Sequence, residues 1–230
     1  MLFRSVARLA EVEEIPTEEA PDGKPRPLVA LRKQAVLDAL RAAGAARVVD
    51  LGCGEGTLLR ELIQHAEFTE VLGVDVSARA LALAERRLSF DRMPDTQRAR
   101  IRLLQSSLTY RDERLAAYDA VVLMEVVEHL DPERLPALES TVFGHARPTT
   151  VIVTTPNAEH NVRYEGLAFG AMRHRDHRFE WTRAEFADWA DGVGERTGYT
   201  VRFLPVGEDD PEVGPPTQLA VFTRLDGSAA

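Results

Sequence analysis

The chain has one cysteine, Cys53, so no internal disulfide can staple it, and no residue pair has the spacing of a structural zinc site. A reducing compartment, the cytoplasm, is therefore expected. Long apolar runs are missing as well. Charge interrupts the opening MLFRSVARLAEVEE every few residues, which excludes a signal peptide or membrane span there, and the mature protein is expected to be the whole chain. Positive charge is scarce: 28 Lys and Arg against 37 Asp and Glu leave a net charge of −9. That excludes a broad basic face of the kind that coats nucleic acid, but not a local basic pocket. Acid gathers early, at Glu11, Glu13, Glu14, Glu18 and Glu19, whereas Arg173, Arg175 and Arg178 sit together late. Internal repeats and low-complexity segments are also lacking.

What is present suits one α/β domain: 230 residues, 44% of them hydrophobic, can bury a sizeable core. Residues 1–27 read as an irregular leader, because Pro16, Pro21, Pro25 and Pro27 break the segment IPTEEAPDGKPRPL. Residues 28–224 form the expected domain, and 225–230 a short tail. A helix starts at Leu28, with Leu31, Val36, Leu37 and Leu40 continuing its apolar stripe. Strands are expected at 47–51, 70–74, 101–105, 120–124 and 151–155, each followed by polar or helical sequence. That alternation implies a mostly parallel sheet with helices on both faces. Two late runs, 200–204 and 218–223, have no long helix between them and suggest a terminal antiparallel pair.

The sharpest motif is Val48-Val49-Asp50-Leu51-Gly52-Cys53-Gly54-Glu55-Gly56, a strand leading into a glycine turn and then a helix from Thr57. Glycines let backbone approach a ligand at the carboxyl end of a strand. The spacing is G-x-G-x-G, not the dinucleotide G-x-G-x-x-G. Asp50 would repel a pyrophosphate but favour the cationic amino acid end of S-adenosylmethionine. Asp75, ending the second strand in Gly73-Val74-Asp75, is placed to accept from ribose hydroxyls. Ser106, Ser107 and Leu108 follow the third strand, where they line an adenine or simply end the strand. The pattern resembles the class I, Rossmann-like S-adenosylmethionine-dependent methyltransferases. Cys53 reads as a small packing residue.

The fourth strand opens onto Glu125-Val126-Val127-Glu128-His129. In a helical turn Glu125, Glu128 and His129 share one face, a donor set for Mn²⁺ or Mg²⁺; the alternative is a solvated acidic turn. A second cluster, Arg173-His174-Arg175-Asp176-His177-Arg178-Phe179-Glu180-Trp181, follows the fifth strand and either supplies a further ligand or is a charged loop. His65, His145 and His160 read as surface or loop residues. Phe186 and Trp189 read as helix core beside Trp181.

Taken together, VVDLGCGEGTLL, QSSLTYRD, EVVEHLD, VIVTTPN and RHRDHRFEWTR resemble the bacterial branch of the small-RNA 3′-terminal ribose 2′-O-methyltransferases of the HUA-enhancer type. The resemblance spans about Leu28 to Arg224. It implies a Rossmann-like α/β fold with a seven-stranded sheet, S-adenosyl-L-methionine as cofactor, and Mn²⁺ or Mg²⁺ on Glu125, Glu128, His129 and His177. It also implies that Arg173 and His174 serve the reaction or the RNA end, that Asp50 and Asp75 hold the cofactor, and that Arg32 contributes to the site. Plant relatives add duplex-binding modules, and many bacterial relatives add a large N-terminal half that engages a repair partner.

The expected reaction moves a methyl group to the 2′-hydroxyl of an RNA 3′ end, single-stranded or cleaved and structured. With a divalent metal chelating the 2′- and 3′-oxygens, that methylation would protect RNA ends, as during RNA repair. His174 is the expected proton acceptor and Arg173 the expected partner of the terminal phosphodiester. A repair kinase or ligase is the expected protein partner, with no membrane and no DNA. The rival readings are a metal-dependent O-methyltransferase of a small vicinal diol and a non-catalytic RNA-end binder. An NAD-dependent dehydrogenase fits the glycine spacing least.

Overall fold

The computed structural model describes residues 16–19, 25–168 and 170–225. Two short strands, β1 (Pro16–Glu19) and β2 (Pro25–Pro27), pair antiparallel with an irregular register. Part of the expected irregular leader is thus a strand pair, and the rest of residues 1–24 lies outside the described residues. A two-stranded pair tolerates the prolines because each strand has a free edge on which a missing N–H goes unnoticed.

Then follow α1 (Leu28–Ala42), β3 (Arg47–Leu51), α2 (Thr57–Leu62), β4 (Glu70–Asp75), α3 (Ala78–Leu88), α4 (Asp95–Arg98), β5 (Ile101–Gln105) and β6 (Ala120–Met124). After β6 come α5 (Leu135–Glu139), β7 (Thr150–Pro156), α6 (Arg183–Thr197), β8 (Tyr199–Val206) and β9 (Thr217–Arg224). Strands β3 to β9 form one seven-stranded sheet in the order β5-β4-β3-β6-β7-β9-β8. β3 to β7 run parallel, and β9 lies antiparallel between β7 and β8. The five parallel strands, the helical layers and the antiparallel end are those expected from the sequence.

Strand alternation feeds two cores. Val48, Val71, Val122 and Ile152 face one way and pack with α1, α2 and α3, while Val49, Leu72, Val121 and Val151 face the other and pack with α5 and α6. α6 begins with a capping box, in which Thr182 and Glu185 satisfy each other's backbone N–H groups. On its buried side Trp181 stacks 5.1 Å from Trp189 and 6.0 Å from Phe186, the expected aromatic core. Among the described residues no helix is long and apolar enough to cross a membrane.

The strand order reverses between β3 and β6, each of which begins a walk toward an opposite edge of the sheet. Crevices at the carboxyl ends of parallel strands open at such a point. The turns after β3, β4 and β6 carry the glycine loop, Asp75 and Glu125 to this one rim.

Candidate active site

At the end of β3 the backbone turns sharply: Gly52, Gly54 and Gly56 have φ of 88°, 51° and 78°, the left-handed region where a side chain is strained. A Cβ on Gly52 would stand 2.7 Å from Val126, so that glycine is also needed for contact with the turn after β6. A Cβ on Gly54 would meet nothing within 4 Å, which leaves open space where a ligand can come close. Asp75 organises this loop: its carboxylate accepts from the Gly54 amide at 2.9 Å and the Ser77 amide at 2.8 Å.

Asp50 is nearly inaccessible. Burial, and then the charge of Asp75, push its carboxyl up to about 7. A carboxylate so poorly solvated gains most from an incoming cation. Beyond β5, the Ser106 hydroxyl donates to Asp112 at 2.9 Å and the Ser107 hydroxyl pairs with Thr109 at 3.1 Å, so both side chains shape the loop, while Leu108 packs on the core. Val76, 46% exposed beside Asp75, adds an apolar surface at this rim that sequence reasoning did not single out.

The second half of the site is built by the turn after β6 and the loop before α6. Glu128, His129 and His177 each offer one donor atom, all within 4.8 Å of one another. Glu128 is fully buried; Thr155 donates to its Oε2 at 3.2 Å, and its Oε1 has no partner among the described residues. Burial first, and the neighbouring Glu125 second, push its carboxyl well above the usual range. An unpartnered buried oxygen of this kind calls for a cation.

The imidazoles agree with that reading. His129 is placed to donate from Nδ1 to the Asp176 carbonyl at 3.3 Å, and His177 from Nδ1 to Glu180 at 2.5 Å. Each is then left with a free lone pair on Nε2, the usual arrangement of a metal-ligating histidine. Burial, and secondarily His177, lower His129 to about 4, so it carries no proton to expel near pH 7. One hard oxygen and two imidazole nitrogens fit a divalent transition-metal ion, Mn²⁺ among them, better than the all-oxygen preference of Mg²⁺.

Glu125, the fourth expected ligand, is not brought into this group. Its Oε2 pairs with Arg32 at 2.9 Å and its Oε1 accepts from Thr154 at 2.9 Å, so a guanidinium holds the carboxylate that was expected on the metal. Arg32 also donates to Thr217 at 2.9 Å, which ties α1 to β9. Glu125 has φ of 55°, a non-glycine residue in the left-handed region, where strain of about 1–3 kcal/mol persists at functional sites.

His174 has the opposite polarity from its two neighbours. The Asp176 amide donates to its Nδ1 at 3.1 Å, so the neutral ring carries its proton on Nε2 and offers a donor there. Acting as a proton acceptor at Nε2, the role expected from the sequence, would require that bond to yield. Arg173 braces the loop by donating to Asn161, to the Pro216 carbonyl and to the Asn157 carbonyl.

Glu180, quoted in the motif but given no role there, is the hub. It holds His177, the Arg173 amide at 2.8 Å and Asn161 at 2.5 Å, and these bonds outweigh burial to keep its carboxyl low. Its position three residues after His177 was the available signal. Glu180→Gln is expected to weaken Mn²⁺ binding roughly tenfold or more, since it loosens a ligand's orientation. Calorimetric titration would read this, and unchanged affinity would leave Glu180 a loop brace only. His160, read as a surface or loop residue, is instead buried and donates to the Gly214 carbonyl at 2.8 Å, a group in the connection between β8 and β9.

A family described as a methyltransferase domain matches residues 49–152. The crystal structure of the methyltransferase domain of bacterial CtHen1 is 51% identical, superposes with a TM-score of 0.79, and is covered over 99% of its length by 85% of this chain. The chain belongs to the Hen1 family of methyltransferase domains. A small RNA 2′-O-methyltransferase of Xenopus tropicalis is 35% identical over 205 residues, 86% of this chain and 55% of that protein. This Hen1 family member therefore spans about half the length of the curated relatives it matches. A chain from the structure of the Pnkp1/Rnl/Hen1 RNA repair complex, 23% identical with a TM-score of 0.64, is covered over 42% of its length by 86% of this chain and shares the fold.

Proposed function

We propose that the chain transfers the methyl group of S-adenosylmethionine to the 2′-hydroxyl of the 3′-terminal nucleotide of an RNA. The observation that carries this reading is the convergence of Glu128, His129 and His177 around an unpartnered buried oxygen, on the same rim as the glycine loop.

Asp50 would take the cofactor's ammonium, and Asp75, while holding the loop amides, has lone pairs left for its ribose hydroxyls. Gly52, Gly54 and Gly56 let that backbone close on the ligand, with Ser106, Ser107 and Leu108 forming the adenine edge. Glu128, His129 and His177 would hold Mn²⁺ or Mg²⁺, which when bound supplies Lewis-acid chemistry to a hydroxyl and favours an end with both 2′- and 3′-hydroxyls free. Glu125, fixed by Arg32, adds negative potential beside these donors. His174 would hold a ribose oxygen through its Nε2–H. An RNA end-repair kinase or ligase is the protein partner that the family resemblance supports.

Methyl transfer from labelled S-adenosylmethionine with Mn²⁺ tests this, using one RNA with a 2′,3′-diol end, a 2′-deoxy end or a 3′-phosphate end. Transfer is expected to the diol alone, with the product resistant to periodate. Equal transfer to all three ends, or none to RNA, would overturn the proposal, and transfer to a small catechol instead would point to a diol methyltransferase.

A further inference from the structure

One buried polar group beside the site has no place in the scheme so far. Tyr164 follows the short helical turn Ala158–Arg163, and its ring lies between His160, 5.5 Å away, and the Arg173 guanidinium, 4.9 Å from its centroid. Its hydroxyl is buried and has no hydrogen-bond partner among the described residues. A phenol bound to nothing carries a desolvation cost, and a phenylalanine would fill the same space without it.

The surroundings say what the hydroxyl is suited to meet. Tyr164 adjoins the candidate active site through Arg173, which lies over its ring and whose amide donates to Glu180, the carboxylate that holds His177; burial raises its phenol, which stays a protonated donor at neutral pH. Both nearby carboxylates are occupied, Glu125 by Arg32 and Glu180 by His177 and Asn161. Arg173 forms no ion pair among the described residues. Its contacts are to neutral oxygens of Asn161, Pro216 and Asn157, through one N–H of each nitrogen, which leaves two N–H groups and no carboxylate in direct contact with the guanidinium. A lone phenol donor beside an unpaired guanidinium is complementary to an anionic oxygen.

We infer that Tyr164 is a substrate-positioning residue whose hydroxyl, together with Arg173, holds a non-bridging oxygen of the last phosphodiester of the RNA. The inference rests on the proposed function, since it takes an RNA end as the substrate. It divides the pocket into two parts, with the ribose hydroxyls at Glu128, His129, His174 and His177 and the adjoining phosphate at Tyr164 and Arg173.

Tyr164→Phe tests it, because the ring and its contact with Arg173 remain and only the hydroxyl goes. The melting temperature is expected to hold or rise and S-adenosylmethionine affinity to stay unchanged. The KM for a diol-ended RNA is expected to rise roughly tenfold, the worth of a hydrogen bond to a charged group, with kcat changed much less. A neutral methylphosphonate at the last linkage should penalise the unaltered chain more than Y164F does, because Arg173 loses its anion too, and should penalise Y164F less than the unaltered chain, the mark of a shared contact. Wild-type kinetics in Y164F, or two penalties that simply multiply, would overturn the inference while leaving the proposed function standing. Failure of the unaltered chain to methylate any RNA would overturn both.

Discussion

Replacing Glu128 by glutamine is expected to reduce methyl transfer at least about 10³-fold, the scale of several kcal/mol of lost Lewis-acid assistance, while the metal-free protein keeps or gains stability. The physical reason is that the Glu128 carboxylate is fully buried, has one oxygen without a partner, and sits beside a second acid. A neutral amide of the same shape removes a buried charge that the protein by itself does not compensate. Thermal unfolding with and without Mn²⁺ separates the two effects. The unaltered chain should be stabilised by Mn²⁺, as any ligand that binds the folded state stabilises it, and E128Q should lose that increment. If E128Q kept the Mn²⁺-dependent rise, or activity within tenfold of the unaltered chain, Glu128 would not be a cation ligand.

Asp50→Asn is expected to weaken S-adenosylmethionine binding about 100-fold through loss of a buried charge-assisted contact, and again to stabilise the ligand-free fold. The pH dependence carries the sign. Asp50 rises from 3.8 to about 7 on folding, through burial first and Asp75 second. Between those values the folded chain holds a proton that the unfolded chain has released, so this group makes stability fall as pH rises from about 4 to 7. D50N should flatten that part of the stability profile. Cofactor binding runs the other way, because the ammonium pairs with the ionised carboxylate. Affinity of the unaltered chain should fall as pH drops from 8 to 6, whereas D50N should bind weakly at every pH. Calorimetric titrations across that range read both, and a D50N affinity close to the unaltered chain's would place the ammonium elsewhere.

Much of this was legible in one dimension. Alternation of apolar residues marks which strand faces are buried, and β3, β4, β6 and β7 are strands whose two faces feed two cores, so their largely apolar runs could be read directly. The glycine loop was readable because its conformation demands glycine, and Asp50 and Asp75 because they sit at the ends of adjacent parallel strands. Glu128 and His129 are neighbours in sequence, and the cluster around His177 stood out by composition, although His177 itself came from the family resemblance.

Hydrogen-bond partners were another matter. Arg32 came only from the family resemblance, since nothing in an amphipathic helix says that one arginine reaches across to Glu125 and Thr217. His129 and His177 already stood apart from His174 in the sequence, but which ring nitrogen of each is free follows only once Asp176 offers its carbonyl to His129 and its amide to His174 while Glu180 takes His177. The phosphate role expected of Arg173 has to share that side chain with its loop contacts, because the Asn157 and Pro216 carbonyls lie within its reach.

The sequence by itself determined the parallel sheet, the glycine turn and the residue types that gather at its rim, because backbone conformation and periodic burial are local properties of the chain. Tertiary structure alone decided which carboxylate meets a guanidinium and which stays bare, which imidazole nitrogen carries the proton, and that a phenol lies unpartnered beside Arg173. Those outcomes depend on register between distant strands: Thr217 reaches Arg32 because β9 lies antiparallel on β7 with Thr217 opposite Pro156, a pairing that no local pattern encodes.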